Sequence, residues 1–513
     1  MRSGAPYVLA IDLGTTGVKV AVVDGDAAIR SAAAESFPTK FTSEGAAEQD
    51  AEGWWQAIGR CARAAVAGAG DADAIAAVAV TAQYMSVVAI DELGVPLAPV
   101  VTWMDTRGGG RHPLRDDRDA FGLWSERHGL PPLPNDDLAH IAVLRAFYPE
   151  IAGRVAAFVE PVDALVARLS GRIVATATTA FPLMCTDNRE WSRVAYDPEL
   201  LARAGVDARL LPPIVAGDEP VGSITTAAAE HLGVTGGALV LPGTVDSITS
   251  AIGGGALEAS RVALVVGTTS VIASHVDAKA ADLAHGIASI PSPLPQRYFV
   301  MAENGVGGRA LEAWLHQVVF ADDGLATGVV PEDAFARAEA VASAAALGAG
   351  GVMYLPWLAG SGAPAPDDYA RGGFVGLGLA STRADMTRAV YEGVALNAAW
   401  LLGPFGAFTG IDYREITFGG GGARSALWGG ILADALGITV HRLAEPQYTN
   451  ARGTALLAFA VLGRADLASV GERIRIAETY RPDADRAARY ATLLERFAGF
   501  HAATRSWFRT AHS

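Results

Sequence analysis

The chain predicts an α/β protein made of two related halves, each built around a β-hairpin and facing the other across a cleft. Three stretches carry this prediction. "YVLAIDLGTTGVKVAVVD", residues 7–24, sets two apolar, β-branched runs on either side of a Gly-Thr-Thr-Gly turn, so it reads as strand, short loop, strand. "RVALVVGTTSVIASHV", residues 261–276, repeats the design around Gly267-Thr268-Thr269-Ser270, 253 positions after the first turn and close to half the chain away. "ITFGGGGARSALWGGILADALGITV", residues 416–440, reads as strand, glycine cluster, helix, strand.

Each turn has the inventory of a phosphate cradle. Gly14 and Gly17 allow a sharp turn and a close approach to a ligand, while successive N–H groups and the Thr15 and Thr16 hydroxyls are potential donors. Two common phosphate motifs are excluded. A Walker loop needs Gly-Lys-Ser/Thr opening a helix, whereas Lys19 lies inside the second apolar run; the dinucleotide fingerprint fails because no helix follows the glycines. In the third stretch Leu427, Ile431, Leu432 and Leu436 share one helical face and Gly437 is placed to end the helix. Glycines before a helix N-terminus let a phosphate or a flat ligand reach the backbone.

The boundary between the halves is expected at the glycines near residue 254, giving domains over 1–254 and 255–465. The tail over 466–513, rich in Arg, Asp and Glu, reads as helices packed on the outside.

Composition narrows the partners. Of 513 residues, 51% are hydrophobic and 19% charged, the profile of a chain with large cores. A formal charge of −15 with no basic cluster argues against nucleic acid, while backbone amides and a divalent cation can still neutralise ATP locally. Cys61 and Cys185 have no metal or redox spacing and read as free thiols of a reducing compartment. A single early Arg followed directly by a strand is not a secretory signal, and the uncharged runs 340–366 and 393–411 are broken by Gly and Pro, so a cytoplasmic protein without membrane spans is expected. Lys occurs only at positions 19, 40 and 279.

Seven segments in order, "IDLGTTGVKVAVVD", "EQDAEGWWQAI", "WMDTR", "DSITSAIGGG", "VVGTTS", "FGGGGARSALWGGILADALG" and "ARGTALLAFAVLG", resemble the FGGY carbohydrate kinases, most closely the xylulokinase branch. The resemblance implies two duplicated actin-like (ribonuclease H-like) domains of the hexokinase, actin and heat-shock ATPase superfamily. It implies ATP and Mg²⁺ as cofactors and a small sugar or polyol as substrate, with D-xylulose first; a homodimer stays open. By the same resemblance Gly14, Thr15, Thr16, Gly267, Thr268 and Thr269 hold phosphates, Gly420, Gly421 and Ala423 hold the adenosine, and Asp12 lies at the Mg²⁺, directly or through water. Asp246 matches the catalytic base, and a carboxylate in reach of the sugar hydroxyl is what that chemistry needs; an ordinary helix N-cap is the competing role for an Asp there. Trp103, Asp105 and Arg107 match a segment lining the sugar site, where an indole can stack on a sugar face and charged groups can bond its hydroxyls. Gln83, Tyr84 and Met85 stand at a further substrate-contacting stretch.

Three positions depart from the pattern. Gln83-Tyr84-Met85 replaces Gln-Met-His, so the sugar could be another ketopentose or polyol such as ribulose, erythritol, ribitol or glycerol. Ser270 replaces a glycine and is expected to be strained if its φ is positive. "GSGAPAPDD", residues 360–368, lacks a charged pair. The last two leave room for a non-catalytic ATP- and sugar-binding switch.

Overall fold

The computed structural model describes residues 6–325, 328–465 and 470–511. The first half opens with β1 (Tyr7–Leu13), β2 (Gly17–Val23) and β3 (Ile29–Ser36), an antiparallel meander, followed by α1 (Ala51–Ala69) and β4 (Ile75–Ala82), which pairs in parallel with β1. Helices α2 (Asp137–Phe147) and α3 (Pro161–Ser170) follow, then the short strands β5 (Gly222–Ser223), β6 (Leu239–Val240) and β7 (Thr244–Val245) and helix α4 (Asp246–Gly253). The sheet runs β5-β6-β4-β1-β2-β3, with β7 also on β4.

The second half repeats this plan. Its strands are β8 (Ala263–Val266), β9 (Thr269–Val276), β10 (Ala281–Asp282), β11 (Ile287–Pro291) and β12 (Tyr298–Val306), followed by α5 (Gly308–Trp314) and α6 (Arg383–Thr409). Then come β13 (Glu415–Gly419), α7 (Ala426–Leu436), β14 (Thr439–Leu443), α8 (Thr449–Val461), β15 (Ile476–Tyr480) and α9 (Ala484–Ala511). In each half an antiparallel hairpin is flanked on its first strand by two parallel strands, β4 and β6 in one and β13 and β14 in the other. The duplication expected from the two Gly-Thr-Thr turns is present in the topology.

Alternation places the layers. Leu9, Ile11 and Leu13 point to α1 and α3, whereas Val8 and Ala10 point the other way, onto Ala451, Ala455 and Phe459 of α8. In the second sheet Leu264, Val266 and Ile272 face a core built on α5, α6 and α7, and Ala263 and Ala273 face Ile248 and Ile252 of α4. A helix of the second half thus covers the first sheet, and a helix of the first half covers the second. The sequence boundary near residue 254 lies between α4 and β8, but the packing does not divide there. The two helices cross on glycines: a Cβ on Gly453 would lie 1.9 Å from the Thr249 carbonyl oxygen, and one on Gly253 2.1 Å from that of Thr449. Arg452, almost fully buried, donates from its Nε to the carbonyl of Ala27 in the β2–β3 turn at 3.1 Å, tying α8 to the first hairpin.

The tail carries a long helix on the surface of the second half, preceded by a strand that the sequence did not suggest. Residues 466–469 lie outside the described residues, as do 1–5. Beyond them β15 adds an edge strand to the second sheet, and α9 sends Tyr490 and Phe497 fully into the core, because α9 supplies an apolar face that α6 and α7 leave to be covered. Among the described residues no helix is long and apolar enough to cross a membrane. Cys61 and Cys185 are both buried and free.

Because the crossing tolerates no side chain, Gly453→Ala is expected to lower stability by about 3 kcal/mol through forced separation of the helices. Gly499→Ala, whose Cβ would meet nothing within 4 Å in α9, is expected to raise it by about 0.5–1 kcal/mol. Thermal unfolding of both variants reads the difference; equal midpoints would contradict the crossing.

Candidate active site

Both turns sit at the ends of their sheets and present backbone donors, for different local reasons. Gly14 N–H donates to the Gly17 carbonyl at 2.9 Å, and neither glycine has a positive φ. Gly17 is needed by its strand rather than by the turn, since a Cβ there would lie 2.5 Å from the Glu35 oxygen on β3. At the second turn Gly267 N–H donates to Thr269 at 2.8 Å, and the carbonyls of Gly267 and Thr268 accept from Gly308 and Gly307 at 2.7 and 3.0 Å. Those two glycines, at the start of α5, brace the second turn and were not singled out in the sequence, although Gly-Val-Gly-Gly before an amphipathic run is a visible signal. Thr16 and Thr268 are exposed at the two tips.

Ser270 carries no strain. It is extended backbone in β9, opposite Val266, and its φ is not positive, so the expected cost of replacing glycine there does not arise. At the third cluster Gly420 has φ 80° and a Cβ would lie 2.6 Å from the Val266 oxygen, so only glycine fits beside the second turn. Gly421 is open: a Cβ would meet nothing within 4 Å. Ala423 points its methyl into the core, which leaves only its backbone for a ligand.

Asp12 and Asp246 meet at the junction of the halves. Asp12, on β1, is 2% exposed; Asn450 of α8 donates to its Oδ1 at 3.3 Å and Lys19 lies 3.5 Å from its Oδ2. Asp246 is the first residue of α4, not its cap: Val245 occupies the cap and offers no side-chain acceptor. Thr81 on β4 fixes this end, its hydroxyl donating to the Thr244 carbonyl at 3.0 Å and lying 2.9 Å from the Thr249 hydroxyl. Burial pushes the Asp246 carboxyl up to about 7, with repulsion from Asp12 adding to it. Among the described residues no group of three or more His, Cys, Asp or Glu is arranged to hold a metal ion. A lone carboxylate such as Asp12 beside a phosphate cradle fits a hard cation held mainly by phosphate oxygens and water.

Most of the residues expected at the sugar are held by internal bonds. Trp103 is half-buried, and its indole N–H donates to the Thr15 hydroxyl at 3.2 Å, joining the first turn to that side. Asp105 is fully buried and Arg107 nearly so: Asp105 accepts from Ala47 N–H at 3.0 Å and pairs with Arg107 at 2.6 Å, and Arg107 reaches Glu48 at 2.7 Å with its guanidinium 4.7 Å over the Phe147 ring. Their charges satisfy one another and brace the loop that carries Trp103. Gln83 is 1% exposed and donates to Gln49, which donates in turn to the Thr15 carbonyl at 2.7 Å. Tyr84 buries its hydroxyl toward Glu160 and Asp137, where burial and then the Asp137 charge push the Glu160 carboxyl well above the ordinary range. Met85 stays half-exposed, with an unusual φ of 54°. Buried polar groups bond internally because desolvating them unpaired is costly, and a motif match does not show which way a side chain turns.

Models of the FGGY family of carbohydrate kinases match the chain over residues 7–253 for the N-terminal domain and 262–462 for the C-terminal domain. The chain belongs to this family. This carbohydrate kinase therefore has the two-domain fold of the actin and hexokinase superfamily, and family membership brings ATP and a divalent cation as co-reactants. It is 27% identical over 482 residues to a xylulose kinase of Staphylococcus epidermidis, covering 93% of this chain and 92% of the relative. It is 25% identical over 499 residues to a gluconokinase of Bacillus subtilis, covering 96% and 94%. The crystal structure of xylulose kinase from Rhodospirillum rubrum superposes with a TM-score of 0.83 at 26% identity, covering 98% of this chain and all of that one.

If the Asp105–Arg107–Glu48 group is structural, Arg107→Ala leaves two buried carboxylates uncompensated and lowers stability by about 3–5 kcal/mol. The measurement is thermal unfolding beside sugar KM; an unchanged midpoint with a raised KM would restore a direct sugar contact.

Proposed function

We propose that this kinase transfers the γ-phosphoryl group of ATP to a hydroxyl of a small sugar or polyol, with D-xylulose to D-xylulose 5-phosphate as the leading reaction and Asp246 as general base. The observation that carries this reading is the state of Asp246. It follows the cap position of its helix, it lies close enough to Asp12 of the first sheet to feel its charge, and burial and that charge push its carboxyl up to about 7 against the backbone N–H groups of Ser247 and Asp246, so that a base is half ready at neutral pH.

In this reading the phosphates of ATP lie between the turn of Gly14, Thr15 and Thr16 and that of Gly267, Thr268 and Thr269. Backbone N–H groups and the exposed Thr16 and Thr268 hydroxyls donate to their oxygens. The adenosine lies along Gly420 and Gly421, with Ala423 contributing backbone. Asp12 would hold a Mg²⁺ ion, directly or through water, and that ion would supply charge neutralisation to the phosphates. Asp246 accepts the proton of the sugar hydroxyl as that oxygen bonds to the γ-phosphorus and the bond to the bridging oxygen of ADP breaks, in line. Trp103 and Met85 meet the sugar directly; Gln83, Tyr84, Asp105 and Arg107 act from behind by fixing these two. Closure of the halves excludes water, which would otherwise take the phosphoryl group. Xylulose leads because it stands in the names of the S. epidermidis and R. rubrum proteins, while the gluconokinase likeness keeps the substrate a matter for assay. Two free buried thiols support a cytoplasmic setting.

ADP release with Mg²⁺-ATP across ketopentoses, tetritols, pentitols, glycerol and gluconate tests the reading. One compound is expected to turn over robustly, and Asp246→Asn to lose about 10²–10⁴ in kcat; no release above the sugar-free rate with any of them would overturn it. The base must be ionised, so kcat/KM is expected to fall about tenfold per unit as pH drops below about 7. Asp12→Asn, which removes the repelling charge, is expected to move that acid limb to lower pH.

A further inference from the structure

Strand β12 is antiparallel to β9 with Val271 opposite Glu303, Ala273 opposite Met301 and His275 opposite Phe299. Its side chains alternate: Val300 and Ala302 enter the core of the second half, while Phe299, Met301 and Glu303 share the opposite face, toward α4. Along this face the cover changes residue by residue. Phe299 is fully buried in the cluster that contains Ile248 and Ile252, Met301 is half-buried in the same cluster as Tyr84 and Leu130 of the first half, and Glu303 is exposed. Four residues further on, Gly307 and Gly308 bond the second phosphate turn. Glu303 therefore stands on β12 between Met301, which shares a cluster with Tyr84 of the first half, and the glycines that bond the second turn.

Two properties mark its carboxylate. Among the described residues it has neither an ion-pair nor a hydrogen-bond partner, and although exposed it is held above the ordinary carboxylate range by desolvation alone, as in a deep concave surface. Its backbone is rigidly placed by the altered segment 360–368. The Glu303 carbonyl accepts from Ala363 N–H at 2.8 Å, Asn304 donates to the Ala363 carbonyl at 2.7 Å, and a Cβ on Gly362 would lie 2.4 Å from the Glu303 oxygen. The stretch that departs from the charged family pattern thus serves as the backing of this residue.

We infer that Glu303 is a specificity residue of the second half, accepting hydroxyl hydrogen bonds from an uncharged polyol and, together with Asp246 and Asp12, repelling a sugar acid. The inference rests on the kinase reading and narrows it, since a xylulose kinase and a gluconokinase stand at similar identity to this chain. A carboxylate pays little to accept bonds from hydroxyls and much to face another anion where solvent screening is weak. Lys19, the cation beside these acids, is already engaged by Asp12.

The experiment measures Kd by calorimetry, and kcat and KM with Mg²⁺-ATP, for D-xylulose, ribitol and D-gluconate, on wild type, Glu303→Gln and Glu303→Ala, with thermal midpoint and ATP affinity as controls. For wild type, the best neutral compound is expected to exceed gluconate at least 100-fold in kcat/KM and in Kd. Glu303→Gln is expected to shrink that ratio at least tenfold, and Glu303→Ala to raise KM for the neutral compound about tenfold with kcat within threefold; midpoint and ATP affinity should stay unchanged. An unchanged ratio in Glu303→Gln, binding of gluconate by wild type as tight as that of the neutral compounds, or no binding of either class overturns the inference, whether or not ADP is released. Discrimination in Kd that depends on Glu303, with no ADP released, would support the inference while removing the kinase reading.

Discussion

The crossing of α4 and α8 is the contact on which the rest of the molecule depends. Each helix comes from one half of the chain and covers the sheet of the other, and they pass backbone to backbone because Gly253 and Gly453 leave no side chain between them. The approach does two things at once. It makes the halves inseparable by packing, and it brings the start of α4, with Asp246, beside β1, with Asp12, while Asn450 from α8 reaches the Asp12 carboxylate. A wider crossing would move Asp246, Asp12 and their shared environment apart together.

From this pivot the duplicated sheets diverge in use. The first turn is joined through Thr15 to the Trp103 indole and to Gln49 and Gln83, so its surroundings are polar side chains. The second is braced by Gly307 and Gly308 and flanked by Gly420, which lies against Val266 with no room for a side chain, so its surroundings are mainly backbone. The same topology thus carries a polar, side-chain-rich wall and a bare, glycine-rich one.

What could be read in the sequence follows from which constraints are local. The hairpins, the strand-glycine-helix stretch with its Gly437 cap and the duplication rest on short-range periodicity and turn chemistry, and all appear in the fold. The direction of a buried polar side chain is decided by its partners: Asp105 and Arg107 are bound by Ala47 and Glu48, some sixty positions upstream, and no local pattern announces that pairing. The anticipated strain at Ser270 does not arise because its pairing with Val266 keeps it in extended backbone, even where the register of β9 on β12 shifts between Thr269 and Val271. Edge strand β15 was hidden because Ile476–Tyr480 is short and flanked by charge, and only the open edge of β14 gives it a place. Glu303 had no motif to mark it; its position emerges only from the register of β12 on β9.

The proposed chemistry depends on one carboxyl kept close to neutral pH by burial and by a second carboxylate, which makes Asp246 a proton acceptor for a single in-line transfer. A carboxylate in the same place could instead take the phosphoryl group itself, giving two transfers. Turnover of ATP made chiral with oxygen isotopes at the γ-phosphorus separates these. A single transfer assisted by Asp246 gives inversion of configuration in the sugar phosphate, and retention would show a phosphorylated enzyme intermediate and contradict the assignment of Asp246 as base.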